Sequence, residues 1–556
     1  MTSPGVVSRL VRRAMTGGLL ALAGLAAAEP GPATADLTAA ESSTDWLLPN
    51  HGYAARRHAP LRQITPDNVA GLRPVCTYRF DDTSRFGATP LVHRGVMYVP
   101  SGNATVALDA ATCRRLWRHD WQPGLPPSAL SQRRPVTNAF KSRGVALKDG
   151  RLVRATPDGQ LIALDAATGT LLWTRPVASE RQYEFAMMAP LAYDDLVITG
   201  IGISEFGIRG WIGAFRLADG EPVWRFNTVP AEGEPGADTW GDAGALERGG
   251  GGVWVTPSLD PQTGLLYAAV GNPGPDFHGD TRPGANLYTG SMIVLDARTG
   301  ALSWHRQFVP HDLHDWDLTV AGPLYGGGPG GTRPMVAAGG KDGLLRGVDI
   351  ASHQTVFETP VTTRLEADQP PTVQGVRACP GVLGGMQWSP PALDPTLGLL
   401  IAPAVDWCGI YSKTAELRFI RGQLYMGGSF SFDPLDQARG VLTAVDATTG
   451  AVRWRYESSR PMLAAVTTTA SSLVFTGELT GHLLALDGRD GRVLLRHDTG
   501  MPLHAGVITY AVNGTQYVAV ASGTATGFWR APTAESAVMV FALSTPGSAP
   551  GGETPR

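Results

Sequence analysis

An all-β chain folded as an eight-bladed propeller is the architecture to expect here. Gly (69) and Pro (43) make up about a fifth of the 556 residues, against ~12% in average usage. Such a density of turn formers favours many short strands over helices. An 11-residue unit then recurs: ALDAATCRRLW (107–117), ALDAATGTLLW (163–173), AFRLADGEPVW (214–224), VLDARTGALSW (294–304), GVDIASHQTVF (347–357), AVDATTGAVRW (444–454) and ALDGRDGRVLL (485–495). It has the physics of a hairpin: Asp and Thr side chains bond nearby backbone N–H groups, and Gly accepts φ > 0 where the chain reverses. The closing Trp ends the outgoing strand, where a large flat side chain can dock on the next unit. Most units stand about 40 to 55 residues apart, the size of a four-stranded blade.

Taken in chain order, residues 1–35 read as an export signal and processed segment. Arg9, Arg12 and Arg13 precede the apolar run GGLLALAGLAAA, with small-residue cleavage sites after Ala28 or after Ala35. The run is too short for a bilayer, which needs ~20 apolar residues. Arg12-Arg13 permits twin-arginine export, though VRRAMT matches that signal poorly. Residues 36–545 form one propeller and 546–556 a flexible tail. The long step from 357 to 454 holds an unmarked blade near WSPPALDPTLGLLIAPAVDW, giving eight; seven blades plus a separate domain is the fallback. GEPGADTWGDAGALERGGGG, before the unit ending at 304, is a loop insertion. The last strands, TQYVAVASG and AVMVFAL, can close the ring against an early one such as RPVCTYRF. In an oxidising compartment the four cysteines pair by proximity as Cys76–Cys113 and Cys379–Cys408, free buried thiols being the alternative. No C-x-x-C-H is present, so covalent c-type haem is excluded. With a net charge of -3 and 17% charged residues, neither nucleic acid nor an anionic membrane surface is indicated as a partner.

Three segments break the repeat. TGIGISEFGIRGW (199–211) sets Glu205 among small residues, where a lone loop Glu is ordinarily a solvated charge. GGGGVWVTPSLDPQTGLLYAAVGNPGPD (249–276) puts Trp254 after four glycines and Asn272 after an apolar strand. FVPHDLHDWDL (308–318) crowds three Asp and two His together. His311 and His314 have zinc-like spacing, but i, i+3 ligation is a helical device and Pro310 argues against a helix. Carboxylates with an amide oxygen suit a hard cation instead: Glu205, Asn272 and Asp315 supply that chemistry if the ring brings them to one mouth.

At these motifs the chain resembles the pyrroloquinoline quinone (PQQ)-dependent alcohol dehydrogenases. SEFGIRG, GGGGVW, GNPGP, RPGANLYTGS, PHDLHDWD, GGKDG and CP…GGMQW carry the resemblance, which spans essentially the whole chain from residue 45. It implies an eight-bladed periplasmic quinoprotein that oxidises an alcohol or sugar alcohol and passes electrons to an external acceptor such as cytochrome c. It implies Glu205 and Asn272 as metal ligands, Trp254 as the floor under the planar quinone, and Asp315 as catalytic base beside the metal. Arg143 and Lys341 become cationic contacts to the anionic cofactor, Gln387 stands at a cofactor-binding position, and Cys379–Cys408 matches a family disulfide. Asp317, two residues beyond the base, adds an anionic ligand in lanthanide-using members. The metal is therefore Ca²⁺ or a lanthanide, and the hypothesis drawn from Asp317 is La³⁺ or Ce³⁺ activation above Ca²⁺. The bland reading of Asp317 is a bond to a neighbouring His or loop amide.

Departures from the family pattern are local. NAFKSRG lacks the adjacent cysteines that roof the quinone in methanol-type members. Gly87 stands where many relatives have Glu, Gln387 where Asn is common, and Met187 where Thr is frequent. These changes favour a bulkier or polyhydroxylated alcohol at least as much as methanol or ethanol. The rival expectation is a non-catalytic propeller that binds proteins or envelope polymers, which predicts loss of the ligand set.

Overall fold

The computed structural model describes residues 1–2, 31–122, 141–179 and 183–544. Eight sheets built on four antiparallel strands follow one another around a ring, the seventh extended by a short parallel strand, His58–Ala59. Blades 1 to 7 span residues 91–120, 146–176, 191–227, 258–307, 318–360, 392–458 and 467–498. Blade 8 takes Leu503–Val512, Thr515–Ser522 and Ala537–Leu543 from the end of the chain, and its outer strand, Leu72–Arg79, from the beginning. Closure by RPVCTYRF is thus observed.

The count of eight holds, but the eighth blade lies elsewhere than expected. Ala392–Asp394 and Leu399–Asp406, from the WSPPALDPTLGLLIAPAVDW segment, are the inner strands of blade 6, whose outer hairpin is the marked unit ending at Trp454. The long step is lengthened instead by an excursion. Val376–Ala378, Gly409–Lys413 and Gly428–Phe432 form a separate three-stranded sheet. Blade 8 escaped the repeat because its two outer strands come from opposite ends of the chain and share no turn.

The repeated Trp works as its spacing suggests. Trp117, Trp173, Trp224 and Trp454 donate Nε1–H to the carbonyls of Ala166, Leu217, Ala297 and Gly488, each in the next blade, at 2.8–3.1 Å. Each indole also covers the turn glycine of that blade: a Cβ on Gly169, Gly220, Gly300 or Gly491 would stand 2.5–2.8 Å from it. In blade 5 the turn residue is His353, which keeps a positive φ of 59° and stacks on Trp304, ring centroids 4.1 Å apart. In blade 1 it is Cys113, and there the neighbour across the seam is Cys76 of the closing strand, joined to it as a disulfide. The second pair, Cys379–Cys408, staples the excursion.

The expected export segment falls mostly on residues 3–30, outside the described residues, as does the tail from 546. The packed fold begins a little before residue 36. Pro32 accepts from the Asp149 amide, Thr34–Thr38 forms a short helix and Leu37 is buried. Among the described residues no helix is long and apolar enough to cross a membrane.

Candidate active site

In each blade the turn between the second and third strands, and the connection leaving the fourth, open on the same face of the ring. The distinctive segments all fall in such positions. Glu205 and Asn272 follow the second strands of blades 3 and 4, and Lys341 that of blade 5. Trp254 and Asp315–Asp317 lie in blade-to-blade connections, as do Arg143 and Gln387. The ring therefore gathers residues from 141 to 529 around one mouth. A cavity of about 200 Å³ there is lined by Glu205, Trp254, Asp317, Lys341, Gln387, Lys141 and a rim of Ile203, Leu383, Phe528 and Trp529.

The FVPHDLHDWDL segment is not helical, as Pro310 predicted. His311 Nδ1 meets the Gly284 carbonyl at 3.0 Å, and His314 Nε2 meets the Gln369 carbonyl at 2.9 Å while its ring stacks on Trp316. The two histidines thus hold the loop and do not converge on a metal. Asp312 accepts from the amides of His314 and Trp316 and shapes the turn. Asp315 sits at φ 57°, so the chain is not extended there; even so, Asp315 and Asp317 reach one point. Lys341 Nζ lies 2.9 Å from Asp315 Oδ1 and 2.6 Å from Asp317 Oδ2. Asp317 Oδ1 also accepts from the Asn272 amide at 2.9 Å, so it does bond a loop amide as well as facing the acids.

Glu205 occupies a short 3-10 turn, Ser204–Phe206, whose carbonyl at Glu205 accepts from Tyr425 of the excursion at 2.6 Å. Burial pushes its carboxyl up, opposed by Lys341 and reinforced by Asp317. Asp315 is raised further, by burial first, then by Asp317 and Glu205, against the pull of Lys341. Lys341 is itself held far above the usual lysine range, the neighbouring acids overcoming its burial. Among the described residues no three His, Cys, Asp or Glu side chains stand as a ready cage around a single point; the ammonium of Lys341 is what neutralises the two aspartates.

Asp276 was not singled out in the sequence. It is fully buried, and its Oδ1 accepts from Asn272 Nδ2 at 2.9 Å. With the amide nitrogen so engaged, Asn272 Oδ1 is left buried and unpartnered, as is Asp276 Oδ2. Burial, with Asp315 and Glu205 nearby, raises the Asp276 carboxyl well above its ordinary range. Within NPGPD it reads as one more turn residue, and no spacing signal marks it.

Trp254 lines the cavity, and the Arg143 guanidinium lies 4.7 Å above its ring and 5.6 Å from that of Trp388. Arg143 Nε and Nη1 are buried without partners, and burial brings its pKa down to about 9. Gln387 donates from Nε2 to the carbonyls of Leu383 and Gly384. Aromatics of and beside the excursion pack against the rim: Phe430 meets the half-exposed Phe528 at 6.0 Å, and Trp407, stacked on Phe432 at 4.5 Å, lies 6.5 Å from Trp529.

Residues 46–349 match the family profile described as glucose/ethanol/alcohol dehydrogenase, beta-propeller domain, in the PQQ group. Residues 438–554 match a profile described as outer membrane protein assembly factor BamB. Quinoprotein alcohol dehydrogenase PedH of Pseudomonas putida is 30% identical over 515 residues, covering 85% of each chain. A europium-containing methanol dehydrogenase superposes with a TM-score of 0.83 at 26% identity, over 92% of this chain and 100% of that one. The quinohemoprotein alcohol dehydrogenase of Comamonas testosteroni gives 0.84 at 27% identity, over 94% and 85%.

Proposed function

Because this chain belongs to the PQQ-dependent quinoprotein alcohol dehydrogenases, we propose that it oxidises an alcohol to an aldehyde or ketone at this mouth. The location proposed is the periplasm, the cofactor set PQQ plus a bound Ca²⁺ or lanthanide, and the electron acceptor an external one such as a cytochrome c. The single observation that carries the reading is the set of unpartnered buried atoms held against the lining residues Asp317 and Trp254. Asn272 Oδ1 and Asp276 Oδ2 await a cation; Arg143 Nε and Nη1 await an anion. A metal held against an anionic quinone satisfies both, and buried polar atoms are rarely left unpaired otherwise.

Glu205, Asn272, Asp315 and Asp317 would hold the metal as oxygen ligands. Trp254 would support the quinone plane, with Arg143, Lys341 and Gln387 as its polar contacts. When bound, PQQ supplies the two-electron acceptor for the alcohol carbon, and the metal acts as a Lewis acid. The proton balance falls to Asp315: its carboxylate takes the substrate hydroxyl proton as the C–H electron pair leaves. Lys341, 2.9 Å away, pulls that carboxyl towards the ionised form, against the burial and neighbouring acids that raise it; a bound cation would add to the same pull. The aromatic and apolar rim of Ile203, Leu383, Phe528 and Trp529 excludes water and favours an alcohol with an apolar side over a polyol.

Purified apoprotein is to be reconstituted with PQQ and either Ca²⁺ or La³⁺, then assayed on an alcohol panel with an artificial dye acceptor. Dye reduction that requires PQQ, metal and alcohol together is expected. No quinone absorbance and no reduction in any combination would favour the binding-module reading. Asp315→Ala should retain PQQ and lose alcohol-dependent reduction; Trp254→Ala should mainly weaken cofactor retention.

A further inference from the structure

The connection from the closing strand into blade 1 runs beside the connection from blade 1 to blade 2. Phe86 bridges to Ser142, and the Thr89 amide donates to the Arg143 carbonyl at 3.0 Å. This pairing lays the stem of Lys141 across Gly87. A Cβ on Gly87 would stand 2.9 Å from Lys141 Cδ and 3.3 Å from Cγ, while open space on that side is filled by nothing else closer. Any side chain at 87 would have to displace the lysine. The stem leads into the mouth, where Lys141 shares the cavity with Glu205, Trp254, Asp317 and Lys341.

Its neighbours on this wall are positive or neutral. Arg143 and Arg85 are the charges acting on Lys141, and His504, also close to it, is kept neutral by burial, its pKa down to about 4. No carboxylate among the described residues is paired with Lys141. Lys141 and Arg143 stand together here with the half-buried Arg85 beside them, and two Arg143 nitrogens are unpartnered; like charges gathered away from water are costly unless a counter-charge arrives. Of the acids at the mouth, Asp315 and Asp317 are committed to Lys341, and Glu205 forms no ion pair with Lys141. The counter-charge suited to this wall is therefore a carboxylate carried by the ligand.

We infer that Lys141 is a cofactor-binding residue in this chain, pairing its ammonium with a carboxylate of PQQ through the space that Gly87 leaves open. The inference rests on the cofactor reading above. It gives the glycine at 87 a local reason: any larger residue there would displace the lysine stem. Burial and then the Arg143 and Arg85 charges bring the Lys141 pKa down to about 7, and an anion seated against it favours the charged form.

The test is quenching of tryptophan fluorescence as full-length apoprotein is titrated with PQQ, and in parallel with its trimethyl ester, which lacks the carboxylates. Lys141→Met should bind PQQ at least tenfold more weakly than wild type and bind the ester unchanged. Lys141→Arg should keep most of the affinity for PQQ. Gly87→Glu, which evicts the stem, should behave as Lys141→Met. Equal PQQ affinity in wild type and Lys141→Met overturns the inference alone. Equal losses for acid and ester also overturn it, since they mark a structural role. Wild type that fails to bind PQQ overturns the cofactor reading and this one with it.

Discussion

Asn272 can offer its amide oxygen to a cation only while its NH₂ is held elsewhere, and the buried carboxylate of Asp276 holds it. Residues that orient a metal ligand typically change metal affinity by about 10–100-fold when removed. Asp276→Ala should therefore weaken binding of Tb³⁺, read by sensitised luminescence, by about that factor, and leave PQQ quenching little changed. Asp317→Ala tests the metal's charge. Counting Asp276, four buried carboxylates face one ammonium at this mouth, a surplus suited to a trivalent ion. The variant should lose La³⁺-dependent dye reduction relative to Ca²⁺; an equal lanthanide response in both proteins counts against the assignment. Glu205, Asn272, Trp254 and Asp315 were legible because each sits in a motif that breaks the repeat. Asp276 and Lys141 were not: a turn-forming NPGPD and a basic K-S-R look ordinary until the ring folds them over a cavity.

At the scale of the blade, one contact is repeated with variations. A Trp at the end of one outer hairpin covers the turn glycine of the next, and the glycine is required both for positive φ and for the indole's approach. This is why the repeat could be read directly from the chain: its spacing is imposed by a contact between neighbours. Trp173→Ala removes a half-buried indole and its bond to Leu217, and should cost about 3 kcal/mol, seen as a lower thermal midpoint. Gly220→Ala should cost a similar amount through the same contact, because the added methyl lies 2.8 Å from the Trp173 ring. The misplaced eighth blade has the same explanation in reverse. The extra sheet takes one strand from the connection into blade 6 and two from between that blade's second and third strands, which stretched the period, and blade 8 has no outer turn to carry the signature.

For the whole molecule, stability turns on the seam. Where four other seams meet through Trp on Gly, blades 8 and 1 are joined by Cys76–Cys113, across 37 residues of sequence. Cys76→Ser with Cys113→Ser should lower stability by about 2–4 kcal/mol, measured as thermal unfolding of the variant beside wild type. Acid should also weaken the ring. His51 and His504 are buried and His58 is partly so, and desolvation lowers each pKa to about 4. Unfolded histidine binds its proton near 6.5, so the unfolded chain takes up protons first as pH falls. Stability should be unaffected by these groups above pH 6.5 and decline between about 6.5 and 4, with His504→Gln flattening the slope. On the proposed export, the packing of Pro32 and Leu37 favours cleavage after Ala28 over Ala35; the intact mass of the mature protein should then place Glu29 first.

A propeller closed by its first strand must also wait for its last. Leu72–Arg79 leaves the ribosome some 450 residues before Ala537–Leu543, roughly 25–90 s at ordinary rates of synthesis. Throughout that interval it is a strand with no partner, the kind of template on which chains stick together. Its composition answers the hazard: Arg73, Pro74 and Arg79 lie within LRPVCTYR, and a proline with flanking charges discourages pairing with a stranger while costing little at an edge. The same delay governs the cofactor mouth, because Phe528 and Trp529 belong to the blade that completes last. Half-made chains have the acids and Trp254 but not the finished rim, so the proposed site is assembled only once the whole polypeptide is made.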